Sequence, residues 1–341
     1  MLIRAKAPLR ISFAGGGTDV PPFPEREGGL VLNATINRYA YGTLSPRDDD
    51  KIGIESVDFG TSTEFSATEG PAFDGKLDLA KAAVATVGES EDHRGFDLFL
   101  HSNAPPGSGL GSSSAMMVAL IGVLAEFRNM PLTDYEVAEM AFRIERVELG
   151  IKGGLQDQYA AAFGGFNFIE LYGDRVVVNP LRIRPDIMLE LEHNMLLAFT
   201  GTTRTADHII DDQTARFEQA EEHALSGLRE QKVLAVEMKD ALLKRRLTDF
   251  GHLLDDAWQA KKRMSDRISN PHIDEMYEAA RREGALGGKV TGAGGGGFML
   301  FYCDYRSKHR VAETLSKMGA RVDEFAFEHE GMRTWRAPRE A

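Results

Sequence analysis

The 341-residue chain is long enough for two domains, and its 43 % hydrophobic and 27 % charged residues are the balance of a protein that buries a core. A formal net charge of −12 excludes a general nucleic-acid binder, whose footprint is basic. No apolar run reaches the roughly 18 residues of a membrane span. The single cysteine, Cys303, excludes an intrachain disulfide framework and a cysteine-rich zinc site. It lies in an apolar run, which predicts a buried thiol in a reducing cytoplasm. Arg4, Lys6 and Arg10 interrupt the first ten residues, so no secretory signal is expected.

Leu2 to Phe13 predicts a strand that runs into Gly15-Gly16-Gly17-Thr18-Asp19. Pro21, Pro22 and Pro24 predict an extended, non-helical segment after it. Leu30 to Leu44 reads as a second strand, closed by a charged turn from Arg47 to Asp50. Leu77, Ala80, Val84 and Val87 recur at helical steps. Phe96, Leu98 and Leu100 alternate as a strand, and Met117, Leu120, Ile121 and Leu124 return to helical spacing. Between them lies the Gly/Ser-rich run Pro105 to Ser114.

Thr133 and Glu136 form a capping box for a helix that ends near Gly150. Phe166 to Leu171 and Arg175 to Ile183 pair around Gly173-Asp174, and Pro185 marks a junction between domains 1–185 and 186–341. Met195 to Thr200 reads as a strand, and residues 205–265 are mostly helical. Gly288 to Thr291 and Phe298 to Tyr302 are strands flanking Gly292 to Gly297. Strands and helices mix without a regular βαβ rhythm, so the fold class is α+β.

Glycine lets backbone N–H groups turn toward a ligand, and a ring of them at a helix start holds phosphate. Pro106, Gly107, Ser108, Gly109, Leu110, Gly111, Ser112, Ser113 and Ser114, between a strand and a helix, are therefore the predicted phosphate loop. Gly292 to Gly297 matches the letters of a dinucleotide fingerprint, but a strand follows it where a helix is needed. The Walker pattern fails as well, because Val290 follows Gly288-Lys289 and Glu283 stands at the position of the loop's first glycine.

Lys6 to Asp19, Pro105 to Ser114 with its Gly-Leu-Gly-Ser-Ser core, and Lys289 to Phe298 together resemble the three motifs of the GHMP kinase superfamily. That group includes galactokinase, homoserine kinase, mevalonate kinase and phosphomevalonate kinase. The resemblance implies an S5 domain 2-like N-terminal domain with a left-handed βαβ unit and a ferredoxin-like C-terminal domain. ATP and the acceptor would meet between them. By the same resemblance Ser113 and Glu145 ligate Mg²⁺, with Glu148 the alternate. Asp157 is the catalytic base, and Arg10 sits beside the acceptor hydroxyl.

Gly16, Gly17, Thr18, Asp19, Gly154, Gly294 and Gly295 fall on the acceptor side in that comparison. Gly15 to Phe23, together with Trp258 to Asp274, resembles the branch containing heptose 7-phosphate kinase and the fucokinases. This implies a sugar phosphate as acceptor, phosphorylated at the anomeric hydroxyl. Lys262 and Arg263 are expected to hold its phosphate, with Arg26 and Lys152 next in order. L-fucose or another free sugar is the alternative acceptor, and a non-catalytic sugar and nucleotide sensor the alternative class. No nucleic acid or membrane partner is expected, and a homodimer is left open.

Overall fold

A computed structural model describes residues 1–87, 94–203 and 207–339. The chain opens with β1 (Leu2–Ala14), α1 (Phe23–Glu27), β2 (Gly29–Pro46), β3 (Lys51–Ser56) and β4 (Thr61–Ser66). Then follow α2 (Asp78–Val87), β5 (Phe96–Ser102), α3 (Ser112–Arg128), α4 (Asp134–Phe142) and α5 (Gln156–Phe163). β6 (Phe166–Tyr172), β7 (Arg175–Pro180), α6 (Pro185–Asn194) and β8 (Met195–Phe199) lead into three helices, α7 (Asp207–Glu218), α8 (Glu222–Leu243) and α9 (Leu247–Met264). The remainder is α10 (Pro271–Arg282), β9 (Ala285–Val290), β10 (Phe298–Cys303), α11 (Lys308–Lys317), β11 (Arg321–Asp323) and β12 (Arg333–Ala337). Residues 205 and 206, expected to be helical, lie outside the described residues.

Two sheets organise these elements. The first runs β12-β1-β2-β5-β3-β4, and the long β2 also carries the β6–β7 hairpin. Its β3 and β5 are parallel, with β4 and α2 in the connection between them. The second sheet has the order β11-β8-β10-β9 and is antiparallel throughout. With helices after β8 and β10, that order is the split βαβ of a ferredoxin-like unit.

β1 shows why the cleft forms where it does. Its first residues alternate in and out, whereas Ala7 to Ala14 are buried without interruption. The second half is sandwiched, with α3 and α5 against it and α8 and α9 also in contact. One apolar cluster joins β1, β2 and α3 to the inner faces of α8 and α9, including Ile11, Leu120, Met238 and Leu254. A second cluster under the ferredoxin-like sheet gathers Trp258, Ile273, Met276 and Phe301.

Three details depart from the sequence reading. Pro24 sits in the first turn of a short helix instead of an extended segment, because a missing N–H costs nothing there. The helix opened by the Thr133–Glu136 capping box stays α-helical to Phe142 and continues as a π-helical turn, Arg143–Glu148. Gly150 beyond it is left-handed as expected, with φ +65°. Finally, β12 pairs with β1, Leu2 opposite Ala337, so the span 186–341 is not confined to the second sheet.

Candidate active site

The segment between β5 and α3 wraps the mouth of a cavity of about 540 Å³. Pro106, Gly107, Gly109, Gly111, Ser112, Ser113 and Ser114 line it. Ser108 and Leu110 do not: both are fully buried and anchor the loop from beneath. The Leu110 carbonyl accepts the Arg10 backbone N–H at 3.0 Å, and the Ser108 carbonyl accepts that of Phe298 at 2.9 Å.

Glycine is required at Gly109 and Gly111 for two reasons. Both have left-handed φ, +81° and +73°. A Cβ on Gly109 would lie 3.1 Å from the Gly292 nitrogen, and one on Gly111 3.3 Å from the Asp157 carboxylate. This loop is thus packed against the second glycine loop and the carboxylate behind it. The open N-terminus of α3 points its free N–H groups at the same place.

Arg10, near the middle of β1, reaches this loop. Its Nε donates to Asp157 Oδ1 at 2.7 Å, and Nη1 donates to the Gly109 carbonyl at 2.7 Å. Asp157 stands in the first turn of α5. Both side chains are largely buried and both line the cavity.

Glu145 is fully buried. Ser113 Oγ donates to its Oε1 at 2.7 Å, and Gln158 Nε2 donates to its Oε2 at 2.6 Å. Gln158 also donates to Ser114 Oγ at 3.0 Å, and Arg146 Nη2 does so at 3.3 Å. Glu148, in contrast, is 39 % exposed and pairs with Arg143. The π-helical turn separates the two glutamates, Glu145 inward and Glu148 outward. Gln158, one residue past Asp157, is given no role in the sequence reading, although it closes the segment that carries Asp157.

On the opposite wall Gly16, Gly17, Asp19 and Gly154 line the cavity. Asp19 Oδ1 accepts the Gly17 N–H at 2.9 Å, while Oδ2 accepts from the Gln156 backbone at 3.2 Å and its side-chain amide at 3.1 Å. Thr18 is buried behind them, its hydroxyl donating to the Gly15 carbonyl at 2.7 Å. Gly294 lines the cavity, whereas Gly295 is buried, its N–H on the Ile268 carbonyl at 2.8 Å.

The basic run on α9 is oriented differently from the expectation. Lys262 lies over the rings of Trp258 and Tyr277, and Arg263 pairs with Glu230, so neither lines the cavity. Lys261 does, although only 6 % of it is exposed. Burial pushes its ammonium down to about 8, partly opposed by Asp19. Lys289 is also buried and pushed well below the usual lysine range; its Nζ donates to the carbonyls of Ser12 and Phe13. Lys152 is at the mouth, exposed, 3.5 Å from Asp211.

A second cavity of about 170 Å³ adjoins the first and shares Pro106, Gly107, Ser112 and Ser113 with it. Its walls are apolar, with Leu77, Leu79, Leu100 and Met116. No helix of the described residues is long and apolar enough to cross a membrane.

Comparison with known proteins places this geometry. Residues 78–165 match the GHMP kinases N terminal domain, and 238–321 match GHMP kinases C terminal. D-glycero-alpha-D-manno-heptose 7-phosphate kinase of Campylobacter jejuni is 41 % identical over 98 % of this chain and 99 % of its own. The solved structure of a D-glycero-D-manno-heptose 1-phosphate kinase from Bacteroides thetaiotaomicron superposes with a TM-score of 0.82 at 35 % identity, covering 99 % of this chain and 100 % of that one. The bifunctional fucokinase/GDP-fucose pyrophosphorylase of Arabidopsis thaliana is 27 % identical over 95 % of this chain and 31 % of its own. Motifs, both domains and near-full-length identity agree: the chain belongs to the GHMP kinase family, whose sugar kinases use ATP as phosphate donor.

Proposed function

We propose that the protein transfers the γ-phosphoryl group of ATP to the anomeric hydroxyl of D-glycero-D-manno-heptose 7-phosphate, giving the 1,7-bisphosphate and ADP. The observation that carries the reaction type is the Arg10–Asp157 pair, set against a glycine-rich helix N-terminus in one cavity. The 41 % identity to a heptose 7-phosphate kinase carries the choice of sugar.

Phosphoryl transfer depends on positioning and on neutralising the charge that develops. The N–H groups of the loop from Gly107 to Ser114 hold the phosphates, and the adjoining apolar cavity suits the adenine ring. Asp157 accepts the proton of the anomeric hydroxyl as its oxygen bonds to the γ-phosphorus and the bond to the β-phosphate oxygen breaks. Arg10 fixes that carboxylate, since its guanidinium is bonded to both Asp157 and the loop carbonyl.

The donors near the loop fit magnesium. Ser113 Oγ is on the cavity wall, and directly behind it is the Glu145 carboxylate, buried with its nearest cationic nitrogen, of Arg146, 4.0 Å away. Magnesium uses one or two protein oxygens beside phosphates and water, and when bound it neutralises phosphate charge. The described residues include no cluster of three or more His, Cys, Asp or Glu, in keeping with so small a protein share.

The phosphate of the acceptor is assigned to the mouth, near Lys152. ATP consumption measured with heptose 7-phosphate, heptose 1-phosphate, free heptose and L-fucose tests the whole reading. Fastest turnover of the 7-phosphate supports it. Preference for L-fucose would favour the activity named for the 27 % identical relative, and turnover of none would leave the sensor.

A further inference from the structure

The cleft holds a second polar focus that the transfer chemistry leaves unused. Lys261 reaches it from α9 and forms no ion pair or hydrogen bond among the described residues. A Cβ built on Gly16 would lie 3.8 Å from Lys261 Nζ, 3.6 Å from Gln156 Nε2 and 3.3 Å from Ser12 Oγ. Ser12 Oγ and Gln156 Oε1 are themselves buried without a partner. Gln156 Nε2 is committed to Asp19, so its oxygen is the free end of that amide. Lys261, Ser12 and Gln156 thus converge above a glycine that has no side chain to answer them, and all line the cavity.

The surrounding charges do not neutralise this ammonium. Asp19 lies nearby, but its two oxygens already accept three hydrogen bonds. Arg10 on β1, Asp157 on α5 and Lys289 on β9 are the other charged groups facing it. A buried ammonium is costly unless it is paired or hydrogen-bonded. Its retention here points to a ligand.

We propose that Lys261, Ser12 and Gln156 form a subsite for hydroxyl groups of the acceptor sugar, and that Lys261 is a specificity-determining residue for the acceptor. The chemistry selects hydroxyls over a phosphate. The subsite offers a charged donor, a hydroxyl and a free amide oxygen, and neighbouring hydroxyls on a sugar both donate and accept. A phosphate dianion only accepts; it would leave the Gln156 oxygen unmatched and would approach the Asp19 carboxylate. This inference rests on the reading of the cleft as a sugar kinase site.

Kinetics of Lys261→Met and Ser12→Ala with heptose 7-phosphate and with free heptose test it. For Lys261→Met the expected result is an acceptor kcat/KM about 10- to 100-fold lower with both sugars, the loss of a hydrogen bond to a charged group. The KM for ATP and the melting temperature should stay at the wild-type values or, for the latter, above it. Ser12→Ala should lose less in the same direction. The fall of wild-type kcat/KM above about pH 8 should flatten in Lys261→Met. A loss confined to the phosphorylated sugar would assign the ammonium to the phosphate and overturn the hydroxyl subsite. Acceptor kinetics within threefold of wild type would overturn it alone, and a wild-type enzyme inactive on every sugar would overturn this inference together with the functional reading.

Discussion

Arg10 grips a single oxygen of Asp157: its Nε and Nη2 both lie 2.7 Å from Oδ1. Oδ2 takes no hydrogen bond among the described residues, so it is the oxygen open to an acceptor hydroxyl. Asp157→Asn keeps the shape and removes the carboxylate proposed as base. Its kcat should fall about 10²- to 10⁴-fold while ATP binding, measured by calorimetry, is retained. A variant keeping more than a third of wild-type kcat would remove Asp157 from the mechanism.

The two glutamates of the π-helical turn separate by metal dependence. Glu145→Gln should raise the Mg²⁺ concentration for half-maximal activity by about tenfold or more, as loss of a ligand oxygen or its hydrogen-bonded support does. Among the described residues Glu148 bonds to Arg143 and Thr86 on the surface, so Glu148→Gln should stay near wild type. Magnesium titrations of both variants check this. The larger defect in Glu148→Gln would reverse the assignment.

Lys262 and Arg263 should now be silent toward the acceptor. Arg263→Ala removes a partly exposed ion pair with Glu230, worth about 0–1 kcal/mol of stability. Lys262→Ala removes a cation over two rings, about 0.5–1 kcal/mol. Lys152→Ala, at the mouth, is expected to raise the KM for heptose 7-phosphate and leave that for free heptose unchanged. Steady-state kinetics of the three variants on both sugars distinguish these outcomes.

Gly154 tests the acceptor wall sterically. A Cβ there would lie 1.9 Å from Asp19 Oδ2, so Gly154→Ala must displace that carboxylate or its loop. The acceptor KM should rise sharply and the ATP KM much less. Equal effects on both would mean that the loop as a whole had moved.

Lys261 makes a stability prediction with a defined sign. Its folded pKa of about 8 is below the 10.5 of an ordinary lysine, so folding releases protons from this group. The destabilisation is fully present below pH 8 and disappears as pH rises from 8 toward 10.5. Lys261→Met should therefore melt higher than wild type at pH 7, and the gap should close toward pH 10. Melting curves of both proteins across that range measure it directly.

What the sequence disclosed follows from how local each feature is. The glycine loops and the Thr133 capping box are written in adjacent residues, so their positions could be read without a fold. Gln158 could not, because its partners Glu145 and Ser114 are thirteen and 44 residues earlier and meet it only when α5 packs against α3. The hairpin of β3 and β4 escaped notice because both strands are only six residues long: β3 alternates through just two apolar residues, Ile52 and Ile54, and β4 is mostly polar with no buried residue. The choice between Lys261 and Lys262 turned on helical phase. Trp258, Lys261 and Met264 are all buried at steps of three, so the tryptophan's face continues through Lys261.

The strand that carries Arg10 is bordered by the strand made from residues 333–337. Synthesis on a ribosome runs from N- to C-terminus, so β1 is made well before its edge partner at residues 333–337. Until then the backbone N–H and C=O groups on that side of Leu2 to Lys6 have no ladder to join, and an open edge is a template for other chains. Until that strand is made, the chain carries the edge at Leu2 to Lys6 unpaired. A chaperone holding that edge would have to act from the synthesis of β1 until residues 333–337 have been made.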